Sequence, residues 1–208
     1  MDTTKTTPPK KGEPIWDLAH LFPYQGAWSE EDYLELETNH LIEYEHGSLE
    51  MLPMPTIQHQ LIVAFLYNAL LSFIQSRQLG TLLFAPLRVK LWSGKFREPD
   101  LVFISTGKAD WLKGRYLEGA DMVIEVVSGS AEDRHRDLVI KRQEYAQAGI
   151  GEYWIVDPTE EKVTVLSLAG ENYIVHGVFS PDSTATSPML IGFSIPVNEI
   201  FNSASERR

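Results

Sequence analysis

Residues 121–127, which read DMVIEVV, constrain this chain more than any other segment. In an extended strand successive side chains alternate between faces, so Met122, Ile124 and Val126 share one face and Val123, Glu125 and Val127 the other. Glu125 therefore lies between two valines on a face that should itself pack against something. An unpaired buried carboxylate costs several kcal/mol, so Glu125 needs a cation, a metal ion or a proton. A functional acid, a salt bridge to an arginine and a strand end near solvent all satisfy that demand.

The flanking sequence sets this strand in a regular order. Thr56 can cap a long helix over IQHQLIVAFLYNALLSFIQSRQ, ended by Gly80. A β-rich stretch follows: TLLFA, LRVKLW, a Ser93-Gly94 turn and DLVFI. After DMVIEVV a helix is expected over 132–148, stopping at Gly149, and the strand EYWIV then runs to Asp157-Pro158. KVTVLSL and NYIVHGVF read as a closing hairpin. Upstream, Ser29 and Asp32 form a capping box for a short helix to about Leu36. LIEYE and SLEML flank His46-Gly47 as a further hairpin, and Pro53 and Pro55 break the chain before the long helix. Helix, three or four strands, helix, strand implies an α/β (mixed α+β) fold, a mixed sheet flanked by helices. The expected division is a disordered Thr/Pro/Lys-rich leader over 1–14, one domain over 15–201 and a tail over 202–208.

Composition narrows the function classes. A length of 208 residues suits one domain with a sizeable core. Cysteine is absent, which excludes disulfides and thiolate metal sites. No apolar run is read as long enough to span a bilayer, and the N-terminus lacks the apolar core of a signal peptide, so a cytoplasmic protein without a membrane partner is expected. The net charge of −11 argues against a polyanionic partner, since phosphate binding calls for a basic surface. The distribution softens that argument: residues 77–142 carry 12 Lys/Arg against 9 Asp/Glu. Bound divalent cations would also offset acidic site residues.

Several residues could join Glu125. Asp100 follows Pro99 at the mouth of DLVFI, where an acid is either a turn residue or one of two carboxylates converging on a cation. Hard oxygen ligands of that kind suit Mg²⁺ or Mn²⁺. Asp137, Lys141 and Tyr145 are spaced i, i+4, i+8 along one helix face. Lys141 there is either half of a solvated helix pair or a group reaching a metal-bound water or phosphate. His59 lies beside the apolar positions Ile62, Val63 and Leu66, as a packing residue or a site residue. Glu43 and Glu50 on the early hairpin could add a carboxylate or simply face solvent. No His-x-x-His, nucleophile elbow or Gly-rich phosphate loop occurs, so zinc hydrolase, serine hydrolase and nucleotidase readings lack support.

Together these residues resemble a known pattern. Ile42-Glu43-Tyr44-Glu45-His46-Gly47, then His59, then Pro99-Asp100-Leu101-Val102 precede Val123-Ile124-Glu125-Val126-Val127-Ser128-Gly129-Ser130. Asp137, Lys141 and Tyr145 follow, leading into Gly149-Ile150-Gly151-Glu152-Tyr153-Trp154-Ile155-Val156-Asp157. This series is similar to the Uma-two family, taken to be endonucleases of the PD-(D/E)XK, restriction-endonuclease-like superfamily. The match covers roughly residues 25–200 and is most specific from Val123 to Asp157.

The resemblance implies a core in αβββαβ order, with an N-terminal helix and hairpin extension and a C-terminal hairpin. It implies Asp100 and Glu125 as metal-binding acids, with the carbonyl of Val126 as a further ligand of Mg²⁺ or Mn²⁺. The usual signature places a lysine two residues after the glutamate, where this chain has Val127; in the family pattern the lysine lies on the following helix, and Lys141 occupies that place. Glu43 and His59 fall where the family carries an acid and a histidine, and Asp137 and Tyr145 support them. The expected activity is metal-dependent hydrolysis of phosphodiester bonds in nucleic acid, DNA in the first place, by a homodimer able to cut both strands. The alternative is a nuclease fold kept for binding nucleic acid or protein without turnover.

Overall fold

The computed structural model describes residues 23–38 and 40–205; the expected leader over 1–14 lies outside them. Helix α1 (Glu30–Glu35) starts at the capping box read from the sequence: Asp32 N donates to Ser29 Oγ at 3.0 Å and Ser29 N to Asp32 Oδ2 at 3.1 Å. Strands β1 (Ile42–Glu45) and β2 (Ser48–Met51) form the early hairpin. Its turn residues His46 and Gly47 have φ of 42° and 87°, the left-handed pair whose twist matches that of a two-residue hairpin. Thr56 caps α2 (Ile57–Arg77), accepting from His59 N at 3.1 Å. The helix ends on Gln78 in the left-handed region, not on Gly80 as expected. Glycine at position 80 answers a different demand: a Cβ there would lie 2.0 Å from the carbonyl oxygen of Ile104 on the neighbouring strand.

The main sheet has six strands. β3 (Gly80–Phe84) forms one edge beside β6 (Leu101–Ser105), followed by β7 (Met122–Val126), β8 (Glu152–Asp157), β9 (Lys162–Ala169) and, at the other edge, β10 (Asn172–Phe179). Only β7 and β8 run parallel, and a helical crossover joins them. That crossover is the helix expected over 132–148, running without a break over 131–147 but with a π-helical turn inside it. It consists of α3 (Ala131–His135), a π-helical turn over Arg136–Ile140 and α4 (Lys141–Gln147). The architecture is thus a central mixed sheet flanked by helices.

β4 (Val89–Trp92) and β5 (Lys95–Arg97) leave the main sheet. The expectation that LRVKLW continues the same strand run is corrected: the two strands join the early hairpin in a second sheet of order β2-β1-β5-β4. Pro86 and Pro99, each without a backbone donor, bracket the excursion. An aromatic cluster of Tyr33, Tyr44 and Phe96 packs α1 against this sheet. The C-terminal hairpin appears as read, in β9 and β10. Beyond it lie two strands of three residues, β11 (Thr184–Thr186) and β12 (Ser194–Pro196), and α5 (Val197–Ser205), none of them anticipated. α5 runs on through residues 202–205, beyond the expected domain boundary at 201.

The alternation in DMVIEVV is realised in two separate cores. Met122, Ile124 and Val126 pack with Leu101, Phe103 and the α2 stripe Ile62, Leu66, Leu70 and Ile74. Val123 and Val127 pack with Val102, Tyr153 and Tyr145 under α4. One expectation about the membrane is corrected: α2 is, by length and composition alone, long and apolar enough to cross a bilayer. Here one stripe of it is buried against the sheet. Because Leu70 is 0% exposed in that stripe, Leu70→Ala should lower unfolding free energy by about 2–5 kcal/mol. Gln60→Ala on the exposed face of the same helix should stay within about 0.5 kcal/mol, both measured by urea denaturation.

Candidate functional site

The site forms where β6 and β7 end together. Their register pairs Val102 with Val123 and Leu101 with Ile124, so Asp100 and Glu125 come next and face the same side, beneath α4. Asp100 Oδ2 accepts from the amide of Val126 at 2.7 Å and lies 3.1 Å from His59 Nε2, on the first turn of α2. Glu125 Oε1 accepts from Lys141 Nζ at 2.8 Å and from the Tyr145 hydroxyl at 2.6 Å. Lys141 Nζ also lies 3.3 Å from Asp137 Oδ1 and 3.5 Å from Glu43 Oε1.

Seven of the eight candidate side chains thus meet, and Val126 contributes its backbone amide. Asp100, Glu125, Val126, Asp137, Lys141 and His59 line a cleft of about 40 Å³, with Pro53 and Pro55 in its wall. Glu43 and Tyr145 stand behind them as partners of Lys141 and Glu125. Glu50 does not join the site: its side chain is about half exposed and pairs with Arg136 at 3.2 Å.

The structure resolves what Glu125 does on its apolar face. It is 4% exposed and its cation is a lysine from the following helix, neither an arginine nor solvent. Burial is the largest influence on its carboxyl and pushes it up. Lys141 opposes that shift while Asp100 and Asp137 add to it, leaving Glu125 at about 8. Burial pulls Lys141 down, but Glu125, Glu43 and Asp137 overcome it and hold the ammonium above the ordinary lysine range. Burial would likewise raise Glu43, yet Lys141 and Arg97 bring it down to about 2. His59 is held above its usual value because the Asp100 hydrogen bond and charge outweigh burial. Burial, followed by the Glu125 charge, keeps the Tyr145 phenol well above the ordinary tyrosine range, a donor at any working pH.

The donor chemistry suits a hard divalent cation: carboxylates of Asp100, Glu125 and Asp137 line one cleft. Asp137 Oδ1 is buried and accepts no hydrogen bond. Among the described residues, however, no group of three or more His, Asp or Glu side chains stands in a geometry that could hold a metal ion. Lys141 Nζ lies among the acids instead.

Sequence reasoning missed Arg97, Glu98 and Glu144. Arg97 Nε and Nη2 donate to Glu144 Oε2 and Oε1 at 2.7 and 2.9 Å, and Nη1 donates to Glu43 Oε2. Glu98 Oε2 accepts from Ile42 N at 3.0 Å, and burial pushes its carboxyl up to about 7. The available signal was the run REPD over 97–100, charged side chains leading directly into Asp100. A short strand with charges on it reads as exposed, whereas Lys95, Phe96 and Arg97 are all buried.

A sheet flanked by helices, with acids at the ends of adjoining strands and a lysine from the next helix, defines the nuclease-like, restriction-endonuclease-like class of fold. The chain belongs to the Uma2 family, described as "Putative restriction endonuclease", whose model matches residues 30–198. Its fold is similar to the crystal structure of a "putative nuclease belonging to DUF820" from Anabaena variabilis, with a TM-score of 0.71 at 19% identity, covering 85% of this chain and 99% of that one. No curated protein matches the chain.

Glu43 generates a prediction about acid stability. Its folded value of about 2 lies below the ordinary 4.5, so its contribution is complete above pH 4.5 and is lost as pH falls toward 2. The shift corresponds to about 3 kcal/mol. Urea unfolding at pH 6 and pH 3 should show a smaller loss on acidification in Glu43→Gln than in the parent, by about 2 kcal/mol, the rest of the contribution being lost only as pH falls on toward 2. An unchanged pH dependence would remove Glu43 from the acid-labile groups.

Proposed function

We propose that this protein is a metal-dependent endonuclease that hydrolyses phosphodiester bonds of nucleic acid, DNA in the first place. The observation carrying this reading is the convergence of Asp100, Glu125 and Lys141 on one cleft in a chain of this family. Asp100 and Glu125, with the carbonyl of Val126, would hold Mg²⁺ or Mn²⁺. Such an ion, when bound, lowers the pKa of a coordinated water and polarises the phosphate. Lys141, kept protonated by its acidic neighbours, would orient the attacking water or donate to phosphate oxygens as negative charge grows on them. Tyr145 and His59 hold the carboxylates of Glu125 and Asp100 in place through the hydrogen bonds described, and Glu43 and Asp137 fix the ammonium between them.

The finer reading of the fold belongs with this proposal. α2, β3, β6, β7, the α3–α4 crossover and β8 would follow one another in αβββαβ order within a single domain, the one expected over 15–201 extended to the end of α5 at Ser205, with the β4–β5 excursion as an insertion. A homodimer would bring two such clefts to the two strands of a duplex. The cysteine-free composition suits the cytoplasm, with no membrane partner in the proposal.

One observation favours a second reading, a nuclease fold that binds nucleic acid or protein without turnover. Lys141 Nζ is buried among Glu125, Asp137 and Glu43, the arrangement of a structural ion-pair cluster, and among the described residues no three acids stand ready for a metal.

Incubation with mixed DNA and RNA substrates under Mg²⁺, Mn²⁺ or a chelator separates the two. The nuclease cleaves only with metal, Glu125→Gln and Asp100→Asn give no detectable product, and Lys141→Met slows cleavage by about 10²–10³-fold. Undiminished cleavage by Glu125→Gln would overturn the assignment. Nucleic-acid binding without cleavage under any metal would establish the second reading.

A further inference from the structure

The four-stranded sheet sends two side chains, Glu43 and Arg97, into the charge cluster around Lys141. Arg97, the last residue of β5, is 3% exposed. Its guanidinium forks onto both oxygens of Glu144, at 2.7 and 2.9 Å, and its remaining arm donates to Glu43 Oε2. Both partners lead to Lys141. Glu144 lies three residues further along α4, and the other oxygen of Glu43, Oε1, is 3.5 Å from Lys141 Nζ.

Charge accounting shows what this arm does. Three acids, Glu43, Glu125 and Asp137, surround one ammonium, with Arg136 Nε 3.7 Å from Asp137 as the nearest other cation of that acid. A single cation cannot hydrogen-bond equally to all three, and in a buried site each acid left without a partner is costly. The distances record the outcome: Lys141 Nζ lies 2.8 Å from Glu125 but 3.5 Å from Glu43. Glu43 can stand off because Arg97 supplies its charge-assisted bond, assisted by the Glu98 amide at 3.3 Å. Without Arg97, Glu43 would keep the Glu98 amide at 3.3 Å and would compete for Lys141, 3.5 Å away.

We propose that Arg97 is a positioning residue that engages Glu43 and so directs the Lys141 ammonium to Glu125. This deepens the nuclease reading, in which Lys141 acts at the cleft, but the geometry it describes exists whether or not the protein cleaves. Lysine at this position would be no equal substitute, because an ammonium lacks the planar fork that holds Glu144 and Glu43 together.

The test reads Lys141 directly. In ¹⁵N-lysine-labelled protein, the ammonium resonance of Lys141, assigned by its loss in Lys141→Arg, should be well resolved and slow to exchange with water. In Arg97→Met it should shift and exchange at least several-fold faster. In the double variant Arg97→Met/Glu43→Gln it should return toward the parent position, because the competing charge is gone. That recovery distinguishes positioning from a role in merely holding α4 in place, which a second substitution would not restore.

If Arg97→Met does not fold, Arg97→Lys with and without Glu43→Gln supports the same comparison. A Lys141 signal that stays put when Arg97 is replaced, or one that moves and is not recovered by Glu43→Gln, overturns the inference. Cleavage by the same proteins is measured in parallel. Loss and recovery of the signal in proteins that never cleave would sustain the inference while removing the nuclease reading. Cleavage in the parent with an immobile signal would do the reverse.

Discussion

A protonated lysine buried among carboxylates is the interaction on which the rest of this structure turns. Lys141 is 2% exposed, so its charge must be met entirely from within. Each acid that meets it arrives on a different element: Glu125 on β7, Glu43 on β1 and Asp137 on the π-helical turn. Removing an ammonium from water costs several kcal/mol, which only well-placed partners offset. The cluster therefore ties the main sheet, the second sheet and the crossover helix to one point, and displacing any of these elements would leave a charge uncompensated.

That requirement explains features which look incidental when taken one at a time. The π-helical turn over Arg136–Ile140 carries Asp137 and ends immediately before Lys141, and such turns are frequent at functional sites. Ser130 caps the start of the crossover, accepting from Asp133 N at 3.0 Å, and so fixes where the helical stretch begins. Within the π-helical turn the Tyr153 hydroxyl donates to the carbonyl of Asp137 at 2.9 Å. The crossover is thus held at its start and again where the site residues begin. The second sheet, which might pass for an appendage, supplies Glu43 and Arg97 and forms the back wall of the cluster.

The cleft combines chemistry suited to a divalent cation with a geometry dominated by ion pairs. Burial raises the carboxyls of Glu125 and Asp137, as happens when acids gather with too little positive charge between them. Asp137 Oδ1 accepts no hydrogen bond of ordinary geometry, its charge partners being Lys141 Nζ at 3.3 Å and Arg136 Nε at 3.7 Å. Perturbed groups of this kind cluster at functional sites, although structural networks produce them too.

Much of this was legible in the residues. The alternation in DMVIEVV separated the two cores, and Ser29, Thr56 and the His46-Gly47 turn announced their elements through local hydrogen bonding and backbone preference. The i, i+4, i+8 spacing aligned Asp137, Lys141 and Tyr145, and a carboxylate between valines required a buried partner. These are short-range properties, determined within a few residues of the chain. Which cation Glu125 would take, whether LRVKLW would stay in the main sheet, and that Arg97 would be buried at all depend on segments brought together from distant positions. Glu43 and Arg97 are 54 residues apart, and Arg97 and Glu144 are 47 apart. A charged side chain looks like surface until its counter-charge is in place, and only the tertiary structure puts it there.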